Sequence, residues 1–323
     1  MQKPLKILIV RFSSIGDIVL TTPVIRCLKK QLGAELHYLT KEIYSSILLE
    51  NIYIDKLYFI NNHINEHFLS LKNEKYDYII DLHNNIRSNV LTVRLGVKTK
   101  KYFKSNFKKY LLINFGINKL GDVSIVERYF DTVNFLGVKN DNKGLDYFLT
   151  TESNLNFDIT KKFITWSLGS SHLNKQLHLK RIMATCKKIS EPIVLLGGTE
   201  EAKIADIIAK GASKNNIYNY CGILSISESA YMIKHSTLLF TNDSGMMQIG
   251  AAFNKLMISF WGCTKPSLGF APYQSKNESI LILSNKSNIP CSKHGKKCKN
   301  KSNPCINNIN SEEIIDAYNK LIF

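Results

Sequence analysis

Short apolar runs and helical stretches take turns along the chain. LKILIV (Leu5–Val10), ELHYL (Glu35–Leu39), KLYFI (Lys56–Ile60) and YDYIIDL (Tyr76–Leu82) are β-branched, aromatic and short, as strands are. Between the first two, Ile18, Val24, Ile25 and Leu28 share one helical face, and Pro23 suits the first turn. Another helix is predicted over Val123–Leu136, and Gly137–Asp158, with Gly, Asn and Asp but no periodicity, reads as an interdomain linker. The alternation resumes with KFITWSL (Lys162–Leu168), PIVLLGG (Pro192–Gly198), NIYNY (Asn216–Tyr220), TLLFT (Thr237–Thr241) and KLMISFWG (Lys255–Gly262). A last amphipathic stretch, Ser311–Phe323, has Ser311 as its predicted N-cap and Glu312 and Glu313 in the first turn. The pattern predicts an α/β protein of two doubly wound parallel-sheet domains, 1–150 and 151–310, facing a central cleft. Helix 311–323 is expected to pack back on the first domain. Ligands of such sheets bind beyond the C-terminal strand ends.

A length of 323 residues agrees with two domains, and 44% hydrophobic with 21% charged residues excludes a disordered chain. No apolar run approaches the ~18 residues of a membrane helix. The short apolar stretch before Arg11 lacks a cleavage site after it, so a cytoplasmic protein is expected. Seven cysteines, an odd number thinly spread, fit a reducing compartment better than a disulfide scaffold. The formal net charge of +17 calls for an anionic partner: nucleic acid, an acidic membrane face or a phosphorylated substrate. Few of the 43 basic residues are arginine, and the chain is heavy in Asn and Ile, a bias that an AT-rich genome also produces.

Three loops could carry chemistry. At the end of the first strand, Ser13, Ser14, Gly16 and Asp17 form a tight turn opening onto a helix, with too few glycines for a dinucleotide fingerprint. Asp17 could be a dipole partner of that helix or a general base. In the second half, Ser170, Ser171 and Lys175 follow a strand and precede a helix, a set that suits a diphosphate. A third loop passes through Asp243, Ser244 and Gly245 into a helix whose Gly250, Ala251 and Ala252 permit close packing. No Asp-x-Asp pair occurs, so a paired-carboxylate metal bridge has no obvious ligands, and no metal or other cofactor is expected.

These loops, together with LLGGTEE (Leu195–Glu201) and WGCTKPSLGFAPY (Trp261–Tyr273), stand in the order seen in glycosyltransferase family 9, the lipopolysaccharide heptosyltransferases. IIDLHNNIRSNVLTVRLG (Ile79–Gly96) and SIVERYFDTV (Ser124–Val133) resemble first-domain segments of that family. The resemblance covers almost the whole chain. It implies a GT-B fold of two Rossmann-like domains, a nucleotide-sugar donor held by the second and an acceptor held by the first, and an inverting, metal-independent transfer. Asp17 matches the family's catalytic aspartate. Ser170, Ser171 and Lys175 match its donor phosphate positions, Asp243, Ser244 and Gly245 its donor loop with Met246 beside it, and Glu200 or Glu201 its ribose carboxylate. Where the family usually has a histidine, three residues after the glycine of the donor loop, this chain has Gln248, which cannot become cationic. The expected donor is ADP-heptose and the expected acceptor a phosphorylated, lipid-linked core oligosaccharide. Ser13, Ser14, Gly16, Asn85, Arg87, Lys101 and Arg128 are the acceptor-binding candidates.

Basic charge concentrates at Arg87, Arg94, Lys98, Lys100, Lys101, Lys104, Lys108 and Lys109, interleaved with Tyr102, Phe103, Phe107 and Tyr110. Contact with an anionic leaflet, peripheral to the inner membrane, is favoured over nucleic-acid binding, which is not expected; a solvated lysine face is the plain alternative. Near the C-terminus, Cys291, Cys298 and Cys305 with His294 could be counted as four zinc ligands, but the spacing fits no CxxC knuckle and free thiols are expected. Two other functions stay open: transfer from another nucleotide sugar in surface polysaccharide synthesis, and a catalytically silent nucleotide-sugar binding protein.

Overall fold

The computed structural model describes residues 3–61, 63–121, 123–149, 157–212, 216–275 and 277–323. The chain divides into two compact units, Met1–Ser105 with Val123–Phe148, and Asn106–Asp122 with Leu149–Phe323. The first unit contains β1 (Lys6–Val10), α1 (Ile15–Val19), α2 (Thr22–Leu32), β2 (Glu35–Lys41), β3 (Lys56–Ile60), α3 (Phe68–Asn73), β4 (Tyr78–Asp81), α4 (Ile86–Leu95) and β5 (Thr99–Lys101). Next comes α5 (Asn106–Phe115), which clusters with the second unit although it lies well inside the segment expected to be the first domain. α6 (Ile125–Phe130) returns to the first unit.

All strand pairings of this unit are parallel, in the order β3-β2-β1-β4-β5. Ile7, Leu8, Ile9 and Val10 of β1 are fully buried, as expected of a central strand with helices on both faces. β5 has no apolar residue and escapes the hydrophobic pattern; it exists by pairing its backbone with β4, Thr99 opposite Ile79. α2 buries Val24, Ile25 and Leu28 and stops at Gly33, whose φ of 60° is the left-handed conformation that glycine adopts without strain. The helix predicted over Val123–Leu136 is shorter in the structure: α6 ends at Phe130, and a 3-10 turn covers Asn134–Leu136. The described part of the linker is strapped down rather than loose. Arg26, on α2, donates to Asp141 at 2.9 and 2.8 Å and to the Gly144 carbonyl at 2.9 Å, and it also pairs with Asp146.

The second unit continues with β6 (Ile164–Ser167), α7 (Leu179–Cys186), β7 (Ile193–Leu196), α8 (Ala202–Gly211), β8 (Ile217–Asn219), α9 (Ile226–His235), β9 (Leu238–Asn242), α10 (Gly245–Ala252), β10 (Met257–Trp261), β11 (Ser279–Leu283) and α11 (Ser311–Ile322). Its sheet is parallel in the order β11-β10-β9-β6-β7-β8. Trp166 on β6 stacks on Phe240 of β9 with ring centroids 4.4 Å apart, and both are fully buried. Each such side chain contributes about 1.5–3 kcal/mol through burial. α11 begins one residue later than its cap, which is Asn310 and not Ser311: the Asn310 Oδ1 accepts from the Glu313 amide at 2.8 Å. Its buried face (Ile314, Ala317, Tyr318) joins the core of the second unit against α7.

Candidate active site

Each sheet has one place where the strand order reverses, and a wound sheet opens a crevice there beyond its C-terminal edge. In the first unit it lies between β1 and β4, in the second between β6 and β9. The loops leaving these four strands hold Asp17, His83, Lys175 and Asp243.

After β1 the chain turns through Ser13 and Ser14 into α1. Asp17 sits in its first turn, where Oδ2 accepts from the Ser14 hydroxyl at 2.9 Å and the Ser14 amide at 3.3 Å. This is the helix-start role that the sequence allowed. The other oxygen, Oδ1, is 2.7 Å from Nη2 of Arg11. Arg11 is fixed in turn: Nε donates to the Ser13 carbonyl at 2.7 Å and Nη1 to the Leu82 carbonyl at 2.6 Å. Burial alone would raise the Asp17 pKa, but the Arg11 charge and the Ser14 hydrogen bonds outweigh it and hold the carboxyl below its ordinary value. Asp17 is therefore a carboxylate at neutral pH. Arg11 was not anticipated, because a charged residue at a strand end looks like the end of the apolar run and nothing more.

Asp81, fully buried at the end of β4, accepts from the His83 amide at 2.9 Å, the Asn84 amide at 2.7 Å and the Ser88 hydroxyl at 2.7 Å. That turn sets the His83 ring 4.9 Å from Phe12 and leaves its Nδ1 buried with no hydrogen-bond partner among the described residues. Burial, reinforced by the positive charge of Arg11, pushes the imidazole pKa down to about 3, so the ring is neutral. Of the acceptor candidates, Asn85 is used as the N-cap of α4, its Oδ1 accepting from Ser88 at 2.9 Å, while Arg87 and Lys101 are exposed. Arg128 is buried; Nη2 donates to the Val123 carbonyl at 2.9 Å, and Nη1 has no hydrogen-bond partner among the described residues.

In the second unit the buried amide of Asn242, the last residue of β9, ties both switch-point loops together. It donates to the Leu168 carbonyl at 2.8 Å and accepts from the Leu177 amide at 3.0 Å. Lys175 Nζ lies 2.8 Å from Asp243 Oδ2, with only 10% and 11% of the two side chains exposed, and the Thr264 hydroxyl donates to the same oxygen at 2.6 Å. Ser170 spends its hydroxyl on the His172 carbonyl at 2.9 Å, and Ser171 is exposed. Ser244 stands at the N-cap position of α10 but its hydroxyl lies 3.2 Å from that of Thr241 and makes no capping bond, and Gly245 and Met246 open the helix. Gln248 is buried; Nε2 donates to the Phe270 carbonyl at 2.8 Å, and Oε1 has no hydrogen-bond partner among the described residues.

A pocket of ≈ 250 Å³ lies beside these loops, lined by Leu168, Leu177, Ile182, Ile204 and the Glu201 side chain. Glu201 accepts from the Gly198 amide at 2.9 Å and from Gln176 at 3.0 Å, whereas Glu200 is exposed. Of the two glutamates left open by the sequence, Glu201 is the one at the pocket.

The family model for glycosyltransferase family 9 (heptosyltransferase) matches residues 64–302. The chain belongs to glycosyltransferase family 9. It is 26% identical to a lipopolysaccharide heptosyltransferase 1 from Campylobacter coli, over 98% of this chain and 99% of that one. A family 9 glycosyl transferase structure from Veillonella parvula superposes with a TM-score of 0.81 at 19% identity, covering 99% and 98% of the two chains. The ADP-heptose lipopolysaccharide heptosyltransferase II of E. coli follows at 0.73 and 18%, covering 98% of each. The fold is GT-B, with a Rossmann-like sheet in each unit, as family 9 membership leads one to expect. Among the described residues no helix is long and apolar enough to cross a membrane.

Proposed function

We propose that this family 9 glycosyltransferase moves a heptose from ADP-heptose to a sugar of a lipopolysaccharide core, with inversion at the anomeric carbon. The observation that carries the reading is the Lys175–Asp243 pair, buried at the switch point of the second sheet next to the N-terminus of α10. There an ammonium and a helix dipole converge on one place, the arrangement that holds a diphosphate. The pocket beside it is smaller than the ~300–1,000 Å³ of sites for whole drug-sized ligands. Its apolar walls and the Glu201 carboxylate suit one part of the donor, a flat base with its ribose. The names of the relatives supply the donor and acceptor classes.

In the reaction the acceptor hydroxyl attacks the anomeric carbon while the bond to the diphosphate oxygen breaks. Asp17 takes the hydroxyl proton. A carboxylate held low by Arg11 is a weak base, so it works late, when the oxygen is already bonding to carbon and its proton has become acidic. Lys175 and the α10 amides take up the charge of the leaving ADP. The reaction needs no added divalent ion, because the donor-loop carboxylate Asp243 is already engaged by Lys175 and Thr264. In the first unit the unpaired Nη1 of Arg128 and the exposed Arg87 are the groups for an acceptor phosphate. The neutral Gln248, with its spare Oε1, favours one second reading, a nucleotide sugar other than ADP-heptose whose hydroxyl this oxygen would accept.

Peripheral contact with an anionic leaflet on the cytoplasmic side completes the proposal. α5 exposes Phe107, Tyr110 and Phe115 beside the exposed Lys108, and Lys98, Lys100 and Lys101 are exposed in the first unit. Lys109 is not among the exposed lysines: it is buried, its ammonium 5.7 Å from the Phe270 ring.

The test is Asp17→Asn, which keeps the size of the side chain. Donor affinity is expected within a few fold of the parent, and transfer to core acceptor down by at least ~100-fold, the lower range for losing a general base. Near-normal turnover removes Asp17 from the mechanism.

A further inference from the structure

Among the described residues, two groups of side chains outside the proposed reaction have metal-ligand geometry. One is Glu35, His37 and Glu74. It carries its own counter-charges, since Lys6 Nζ is 2.9 Å from Glu35 and 2.6 Å from Glu74, and Lys56 Nζ is 2.6 Å from Glu74. The other is made of sulfur alone. Cys263, Cys291, Cys298 and Cys305 are buried, and their Sγ atoms all lie within 4.8 Å of one another. The fourth member is Cys263, from the end of β10, and not the His294 that the sequence spacing offered.

Backbone contacts bring these four together. Gly262 lies so close to Ile306 that a Cβ there would sit 2.6 Å from the Ile306 nitrogen, which sets Cys263 beside Cys305. The Cys291 amide donates to the Cys263 carbonyl at 2.7 Å, and the Cys305 amide to the Cys298 sulfur at 3.4 Å. The sulfur pairs 291–298, 291–305 and 298–305 are 4.0, 3.8 and 3.6 Å apart, and all four thiols are free. Disulfides need about 2.05 Å. A tetrahedron with metal–sulfur bonds of about 2.3 Å has edges of about 3.8 Å.

The surrounding segment has little else to fold around. Residues 284–304 contain no helix or strand, longer than the ~12–15 residues usual for structureless loops. Among the described residues the four cysteines are a buried cluster of their own, without an aliphatic member. The same segment holds Lys286, Lys293, Lys296, Lys297, Lys299 and Lys301 and no acidic residue. Cationic chain wrapped round a thiol core is what an anionic core would require.

The geometry points to a tetrathiolate zinc site at Cys263, Cys291, Cys298 and Cys305. Four thiol protons pass to solvent as the ion binds, leaving a complex of charge −2 inside the lysine-rich loop. The ion touches no substrate. It secures two residues that hold the Lys175–Asp243 pair: Thr264, next to Cys263, and Gly295, between Cys291 and Cys298, where a Cβ would come within 2.4 Å of the Lys175 side chain. These four cysteines are thus positioning residues for the pair.

Metal content of the purified full-length protein is the test, and its outcome does not depend on the donor or acceptor. About one zinc per chain is expected. Cys298→Ser should bind at least ~10-fold more weakly, and Cys27→Ser, in the other unit, should bind as the parent does. The parent protein grown on cobalt covers the case of a variant that fails to fold: it should show thiolate-to-metal charge transfer and the ligand-field bands of tetrahedral cobalt. Protein that takes up neither zinc nor cobalt under reducing conditions overturns the site. Iron in place of zinc after zinc-replete growth, or a six-coordinate cobalt spectrum, overturns the zinc assignment.

Discussion

The Lys175–Asp243 pair permits a prediction in which stability and ligand affinity respond differently. At 2.8 Å, in an effective dielectric of ~20, the two charges attract by about 6 kcal/mol, most of which is offset by removing both from water. Intact, the pair therefore adds little to stability. Breaking it is costly, because Lys175→Met leaves the Asp243 carboxylate buried with only the Thr264 hydroxyl, at a cost of about 3 kcal/mol, the low end for a buried ion. For a unit of this size that is roughly 6–12 °C in Tm, at ~2–4 °C per kcal/mol. Asp243→Asn should lose a similar amount, and the double variant should recover most of the loss. Affinity for ADP follows another rule. A charge-assisted hydrogen bond to phosphate is worth about 1.5–3 kcal/mol, so Lys175→Met should bind ADP ~10–100-fold more weakly, and the double variant should bind no better. The chain's two tryptophans, Trp166 and Trp261, are both fully buried in the second unit, so tryptophan fluorescence, excited beyond the tyrosine absorption band, reports the unfolding of that unit. Calorimetric titration with ADP supplies the other half. If the single variants cost less than ~0.5 kcal/mol, as surface changes do, or if the double variant costs their sum, the pair is not coupled as the geometry requires.

Changing Lys98, Lys100, Lys101 and Lys108 to Gln should weaken sedimentation with phosphatidylserine-containing vesicles by at least ~100-fold, given about 1 kcal/mol per basic residue at an acidic surface. Unchanged binding would dismiss the leaflet contact. Glu74 accepts hydrogen bonds from Lys56, Lys6 and Tyr58, each at 2.6 Å, and these hold its pKa down to about 2. A lowered folded-state value means that its contribution to stability is complete above the unfolded value of about 4.5 and fades as pH falls towards 2. A carboxyl-carbon titration by NMR should place the midpoint near 2, and Glu74→Gln should flatten the acid limb of stability; a midpoint at the unfolded value would contradict this.

Much of the architecture could be read from the sequence because buried parallel strands are apolar runs whichever way they are assembled. The nine runs recognised there correspond to β1–β4 and β6–β10. β5 and β11 were not found, since TKK is held by backbone pairing alone and SILIL has no clear helical partner beside it. Asp17, Lys175 and Asp243 were legible by position, each just past a strand end. What they touch was not. Arg11 and Thr264 become partners only when loops fold back, and Asn85 proves to be a helix cap, a role that the same Asn-x-x-Ser spacing could have disclosed. Glu200 and Glu201 are adjacent in sequence and differ in the turn that buries one of them. Cys263 lies 28 residues before Cys291, beyond any ligand spacing that a motif search would try.

The excursion of residues 106–122 into the second unit has a practical consequence. Leu112 and Leu120 are shielded by Leu268 and Phe270, and the Lys293 and Lys299 side chains bond to Asn106 and to the Ile113 carbonyl. A gene cut at position 149 would thus yield two defective halves, one carrying an orphaned helix and the other a bare apolar socket. Separable fragments would have to be made by transplanting the 106–122 stretch, through a short flexible joint, onto the downstream piece.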